Sequence, residues 1–175
     1  ITTEEVLGTA KRACVRYQGF VEDVQIGETV FIDDGRIKLK VTDKTDTDVI
    51  CEVISGGLLS NKKGVNLPLS QLKISPFTEK DKQDLQVVKM AQLDYVALSF
   101  VSNAEDITRF RAHLKSLGAE KTLIIAKIER QLAIDNLIPI IEAADAIMVA
   151  RGDLGVEVGF EKVPKLQKII IIESN

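Results

Sequence analysis

Two apolar runs in this chain end in charge. One reads Leu123-Ile124-Ile125-Ala126-Lys127-Ile128-Glu129; the other reads Ile147-Met148-Val149-Ala150-Arg151-Gly152-Asp153-Leu154-Gly155. Side chains alternate faces along a strand. Leu123, Ile125, Lys127 and Glu129 are therefore expected on one face, with the charges at its C-terminal end. The second run delivers Arg151 and Asp153 just past its own C-terminal end. Neighbouring parallel strands lie roughly 4.8 Å apart, so Glu129 and Asp153 are spaced to grip one divalent ion with Lys127 beside it. Parallel α/β sheets and (β/α) barrels place their chemistry at this end of the strands. The plainer reading is that these are ordinary solvated charges capping strands.

The elements around these runs must hold them in place. Thr78, with Asp81 three residues on, resembles a capping box, and the change of period begins at Ser75-Pro76-Phe77. Leu85, Val88 and Gln92 step along a helix. Asp94 to Val101 reads as a strand. Asn103 is a candidate N-cap for a stripe of Ile107, Phe110, Leu114 and Leu117 that ends at Gly118. Leu123 to Ile128 is the next strand. Asn136 is placed to cap a helix through Ala144, with Pro139 tolerated in its first turn. Ala146 to Ala150 is a further strand, and Phe160 onward is helical. Alternation of this kind predicts a parallel sheet with right-handed crossovers. Three parallel strands leave open edges, and the chain ends in the apolar run Ile169 to Ile172. The expected architecture is α/β, most simply part of a (β/α)8 TIM-type barrel.

Residues 1–74 read differently, as a small all-β domain preceding the α/β part at 75–175. Glu28 to Asp33 is followed by Asp34-Gly35, a hairpin signal. Arg36 to Val41 alternates, with Ile37, Leu39 and Val41 on one face and Arg36, Lys38 and Lys40 on the other. A polar turn at 42–48 leads to a strand over Val49 to Ile54, with no helical period anywhere in the segment. The loop that follows carries Gly56, Gly57, Lys62, Lys63 and Gly64. Backbone N–H groups and ammonium charge there suit phosphate contacts; a plain surface loop is the alternative.

Composition narrows the classes further. The chain has 175 residues, 45% of them apolar, and a net charge of −3. No basic run exceeds a lysine pair, which argues against non-specific nucleic-acid binding. No charge-free apolar stretch reaches the roughly 18 residues of a membrane span. Cys14 and Cys51 match no metal spacing and are expected as reduced thiols in a cytoplasmic protein. No signal peptide is visible. His113 is expected to be structural, and Glu105, Arg109 and Arg111 to lie on solvated helix faces.

At this level of detail the chain resembles the pyruvate kinase family. Four motifs carry the resemblance: Ile32-Asp33-Asp34-Gly35, Lys62-Lys63-Gly64-Val65-Asn66-Leu67-Pro68, Lys127-Ile128-Glu129, and Met148-Val149-Ala150-Arg151-Gly152-Asp153-Leu154-Gly155. The resemblance implies a (β/α)8 barrel with the β domain inserted as a lid after its third strand, and a C-terminal domain beyond. It implies that Lys127 stabilises charge on the transferring phosphoryl group and the enolate. Glu129 and Asp153 then hold Mg2+ (or Mn2+), and the backbone at Gly152 and Asp153 cradles the phosphoenolpyruvate carboxylate. Ser99 and Phe100 match a strand end beside the substrate. Lys63 and Asp34 belong to the lid and reach toward the nucleotide.

The partners so implied are phosphoenolpyruvate or pyruvate and ADP or ATP, with K+ as a second cation whose ligands lie outside this chain. The complete enzyme is expected to be a homotetramer. Two departures stand out: Ser102 where the family often has arginine, and Arg130 where asparagine is commoner after the glutamate. Phosphoryl transfer asks a protein for alignment and for neutralised oxygen charge rather than covalent help, and a hard cation with two carboxylates, a lysine and a closing lid supplies those. Two other readings remain open: a metal-dependent lyase or aldolase of related barrels, against which the inserted β domain argues, and a fragment that is non-catalytic by itself.

Overall fold

The computed structural model describes residues 1–68, 70 and 77–175. The chain divides into two compact units, 1–74 and 75–175. The expected boundary turn at Ser75-Pro76 falls outside the described residues.

In the first unit a single helical turn, α1 (Phe20–Asp23), precedes an antiparallel sheet of β1 (Thr29–Ile32), β2 (Ile37–Lys44), β3 (Val49–Ser55) and β4 (Val65–Asn66), in the order β3-β2-β1-β4. The alternation in β2 holds, with Ile37, Leu39 and Val41 buried and Lys38 and Lys40 exposed. They pack with Val30, Ile32, Val49, Phe20 and Val24 in a one-sided core. Three details differ from the sequence reading. β2 runs on to Lys44, because Asp43 and Lys44 still pair with Ile50 and Val49 across a bulge. α1 is a helical segment inside the β unit, and its Phe20 anchors the core. Val65 and Asn66, read as loop, pair with Ile32 and Phe31. The β1–β2 hairpin turns through Asp33, Asp34 and Gly35, all at positive φ (55°, 55° and 82°). Aspartate tolerates that region better than most residues, and glycine enters it freely.

Arg12 closes this unit from the side. Its guanidinium donates to both Asp48 oxygens at 2.9 Å, and to Glu4 Oε2 at 2.6 Å. That fork chiefly holds the Asp48 carboxyl below its ordinary value of 3.8. A lowered carboxylate stabilises the fold above its unfolded pKa, and the contribution is lost as pH falls through the folded pKa. Arg12→Ala is therefore expected to lower the melting temperature at pH 7, and the gap from wild type should close as pH drops below 3.8. Thermal melts of both proteins at pH 7, 4 and 2 test this; a gap independent of pH would exclude Asp48 as the source.

The second unit alternates helices with a parallel sheet. α2 (Glu79–Asp84) and α3 (Gln86–Ala91) lead to β5 (Tyr95–Leu98); α4 (Ala104–Ser116) leads to β6 (Leu123–Ile128). α5 (Gln131–Asp135) and α6 (Leu137–Ala143) lead to β7 (Ala146–Val149), followed by α7 (Arg151–Val158), a 3-10 turn at Phe160–Lys162 and α8 (Val163–Glu173). The strand order is β5-β6-β7, all parallel. Ile124, Ala126 and Ile128 on one face of β6 are fully buried among Ile107, Phe110 and Leu114 of α4 and Ile140 of α6. Leu123, Ile125 and Lys127 on the other face are covered less.

The expected capping box forms between Thr78 and Asp81, and the N-cap expected at Asn103 turns out to be a second box, closed by Asp106, each cap worth about 1 kcal/mol. Gln92 does not continue the helical stripe; it ends α3 at φ 50°. Asn136 makes no cap hydrogen bond and donates instead to the carbonyls of Ser102 and Leu132. Arg111 is not simply solvated, since it reaches Asp145 Oδ2 at 3.0 Å and the Ala143 carbonyl at 2.9 Å. His113 lies against the Phe77 ring, its Nε2 buried without a partner. Cys14 and Cys51 are both free, and burial pushes the Cys51 thiol up. No described helix is long and apolar enough to cross a membrane.

Candidate functional site

β5 ends at Leu98, and the register pairs Leu98 with Ala126 of β6. Ser99 and Phe100 therefore come beside Lys127 and Glu129. The Lys127 ammonium donates to Ser99 Oγ at 2.9 Å and forms an ion pair with Glu129 Oε1. The other carboxylate oxygen, Oε2, accepts from the Phe100 N–H at 2.8 Å. The Glu129 side chain is only 2% exposed, whereas Lys127 keeps 24%. A carboxylate so buried needs a cation and a donor nearby, and both are present. The four residues read from the sequence at these two strand ends thus form one hydrogen-bonded group.

Asp153 stands one element away. β7 pairs Val149 with Ile128, and the Ala150 N–H donates to the Ile128 carbonyl at 3.2 Å. The chain then enters α7 at once, so Arg151, Gly152 and Asp153 form its first turn. Their N–H groups are the ones no intrahelical carbonyl reaches. Gly152 has open space where a Cβ would stand, while a Cβ on Gly155 would strike the Phe160 ring. α7 is a helix that sequence reasoning missed. Two glycines in eight residues depress helix propensity, but Leu154 and Val158, one turn apart and both buried, carried the signal.

The two departures from the family pattern meet in space: the Arg130 guanidinium donates to Ser102 Oγ at 3.3 Å. Glu157, also unremarked in the sequence, has its Oε2 buried without a hydrogen-bond partner. Burial pushes its carboxyl up, opposed by Arg130 and the Gln131 amide.

The two remaining candidates lie in the first unit. Lys63 pairs with Asp33 Oδ1 at 2.8 Å and not with Asp34, which is exposed at the hairpin tip. The Lys63 ammonium chiefly holds the Asp33 carboxyl below its ordinary value.

Among the described residues no group of three or more His, Cys, Asp or Glu side chains stands ready to hold a metal. A hard cation takes one or two carboxylates and completes its shell with substrate oxygens and water, and Glu129 and Asp153 supply donors of that type. Both Glu129 oxygens have further lone pairs beyond those used by Lys127 and Phe100.

Charged side chains gathered where parallel strands end, with a helix starting directly after the next strand, define a parallel α/β protein, a class that places its chemistry at the C-terminal edge of the sheet. The family model "Pyruvate kinase, barrel domain" matches residues 1–175, and the chain belongs to the pyruvate kinase family. It is 42% identical over 172 residues to a pyruvate kinase of Clostridium perfringens, covering 98% of this chain and 36% of that protein. It is likewise 42% identical over 177 residues to a pyruvate kinase of Geobacillus stearothermophilus, covering 100% and 30%. A Staphylococcus aureus pyruvate kinase is 40% identical over 177 residues, with the same coverage. The chain spans about a third of the length of the curated relatives it matches.

Proposed function

We propose that the protein carrying this chain transfers the phosphoryl group of phosphoenolpyruvate to ADP, yielding pyruvate and ATP. The observation that carries the reading is the Lys127–Glu129 pair, seated with Ser99 at adjacent strand ends in a chain of the pyruvate kinase family. Lys127 is a preorganised positive charge where phosphoryl and enolate oxygens gather negative charge. Glu129 and Asp153 hold Mg2+ or Mn2+, which when bound neutralises phosphoryl charge and orients its oxygens. The first-turn N–H groups at Gly152 and Asp153 face the substrate carboxylate, as helix N-termini face anions. Ser99 and Phe100 border that substrate.

In this reading residues 75–175 are about three βα units of a (β/α)8 barrel, and residues 1–74 are the β lid inserted into it. Lys63 exchanges Asp33 for nucleotide phosphate, and Asp34 lies in the lid turn that approaches it. The lid keeps water, a competing phosphoryl acceptor, away from the reaction. K+ binds through residues elsewhere in a cytoplasmic homotetramer. Because the chain spans about a third of its relatives, the 175 residues alone are expected to be inactive.

A coupled assay with phosphoenolpyruvate, ADP, Mg2+ and K+ tests this on the natural full-length protein and on the 175-residue chain. Turnover is expected in the first and none in the second. A full-length protein without turnover would reject the reading.

A further inference from the structure

Phe100 combines two features that do not favour folding. Its φ is +57°, a region that a bulky L-residue rarely enters and that glycine would enter freely. The residue is 53% exposed, so burial returns little of the cost. Such strain persists where the surroundings over-determine it, and it concentrates at working sites. Here the surroundings do so. Leu98 and Val101 on either side are buried in the core, at 3% and 0% exposure, and the Ser102 N–H is tied to Asp106 Oδ2 at 2.9 Å. Pinned at both ends, the turn presents two consecutive residues to the neighbouring strand: Ser99 takes the Lys127 ammonium, and Phe100 gives its N–H to Glu129 Oε2.

We infer that Phe100 is a positioning residue whose left-handed backbone aims its N–H at Glu129 and locks that carboxylate in the orientation from which it meets a divalent cation. Glu129 sits at a strand end, where its side chain has rotamers to choose from. Lys127, two residues earlier on the same strand and one-quarter exposed, can follow the carboxylate as it turns. A backbone N–H in a pinned turn cannot follow, so it sets the orientation. The ring itself is not required for this role. The inference rests on the cation site proposed above and adds to it the group that orients its first ligand.

The test replaces Phe100 by phenyllactic acid in the natural full-length protein. This keeps the ring and the backbone path but exchanges the N–H for an ester oxygen. Mn2+ binding is read by electron paramagnetic resonance without substrates, alongside a thermal melt. Loss of an outer hydrogen-bond partner of a metal ligand typically weakens binding about 10–100-fold, and a shift of that size in the Mn2+ dissociation constant is expected. Phe100→Gly, which keeps the N–H and relieves the strained φ, should bind Mn2+ within about threefold of wild type and melt no lower. An ester variant that binds Mn2+ like wild type overturns the inference, even if it melts lower. So does Phe100→Gly weakening Mn2+ as much as the ester does, since the N–H is intact in that variant and would then not suffice to hold the carboxylate. If the wild-type protein binds no Mn2+, or Glu129→Gln leaves its binding unchanged, the cation-site reading falls and this inference with it.

Discussion

Lys127→Met is expected to reduce kcat of the full-length enzyme by at least about 10²–10³-fold, the usual cost of removing one preorganised electrostatic donor. A full positive charge at phosphoryl oxygens should put the loss at the upper end. The geometry adds a second, separable effect. Lys127 is the cation that neutralises a carboxylate with 2% exposure, and methionine leaves that carboxylate with the Phe100 N–H alone. Breaking a buried ion pair from one side costs roughly 3–5 kcal/mol, so the metal-free variant should melt well below wild type. A bound divalent cation takes over the neutralisation, and the difference in melting temperature should shrink when Mg2+ is added. The two effects are read separately, kcat at saturating Mg2+ and melts with and without it. A near-wild-type kcat would remove Lys127 from the chemistry whatever the melts show.

Glu129→Gln is expected to act on the metal rather than on the fold. The amide keeps an oxygen to accept from Phe100, and Lys127 keeps Ser99 and partial access to water. What disappears is one of the two anionic ligands of the proposed cation site. Losing an outer partner of a ligand costs about 10–100-fold in metal affinity, so losing the ligand charge itself should cost at least about 100-fold. Asp153→Asn should behave alike if the two carboxylates share one ion. Titrations of Mn2+ binding and of the Mg2+ dependence of turnover decide the matter. Half-saturating concentrations unchanged in both variants would rule out a shared site, and a change in only one would assign the ion to that carboxylate alone.

What the sequence by itself determined is whatever depends on local periodicity and short-range hydrogen bonding. The span of β6 over Leu123–Ile128, the buried stripe Ile107, Phe110 and Leu114, the two capping boxes and the alternation of Ile37, Leu39 and Val41 all follow from side chains a few residues apart. The placing of Lys127 and Glu129 together at a strand end belongs here too, because period two puts residues i and i+2 on one face. Tertiary structure decided what depends on partners distant in the chain. β4 is a strand only because Phe31 and Ile32 lie alongside it. Asn136 forgoes its cap because the Ser102 carbonyl comes within 3.0 Å across 34 residues. α7 forms despite two glycines because Leu154 and Val158 find a core to enter. The Phe100 N–H reaches Glu129 because parallel pairing brings two strand ends level and a pinned turn forces a φ that no local preference of phenylalanine selects. The sequence named the charges at the site, and the packing set which atoms meet, since local preferences are worth tenths of a kcal/mol to about one and a buried carboxylate left unpaired costs several.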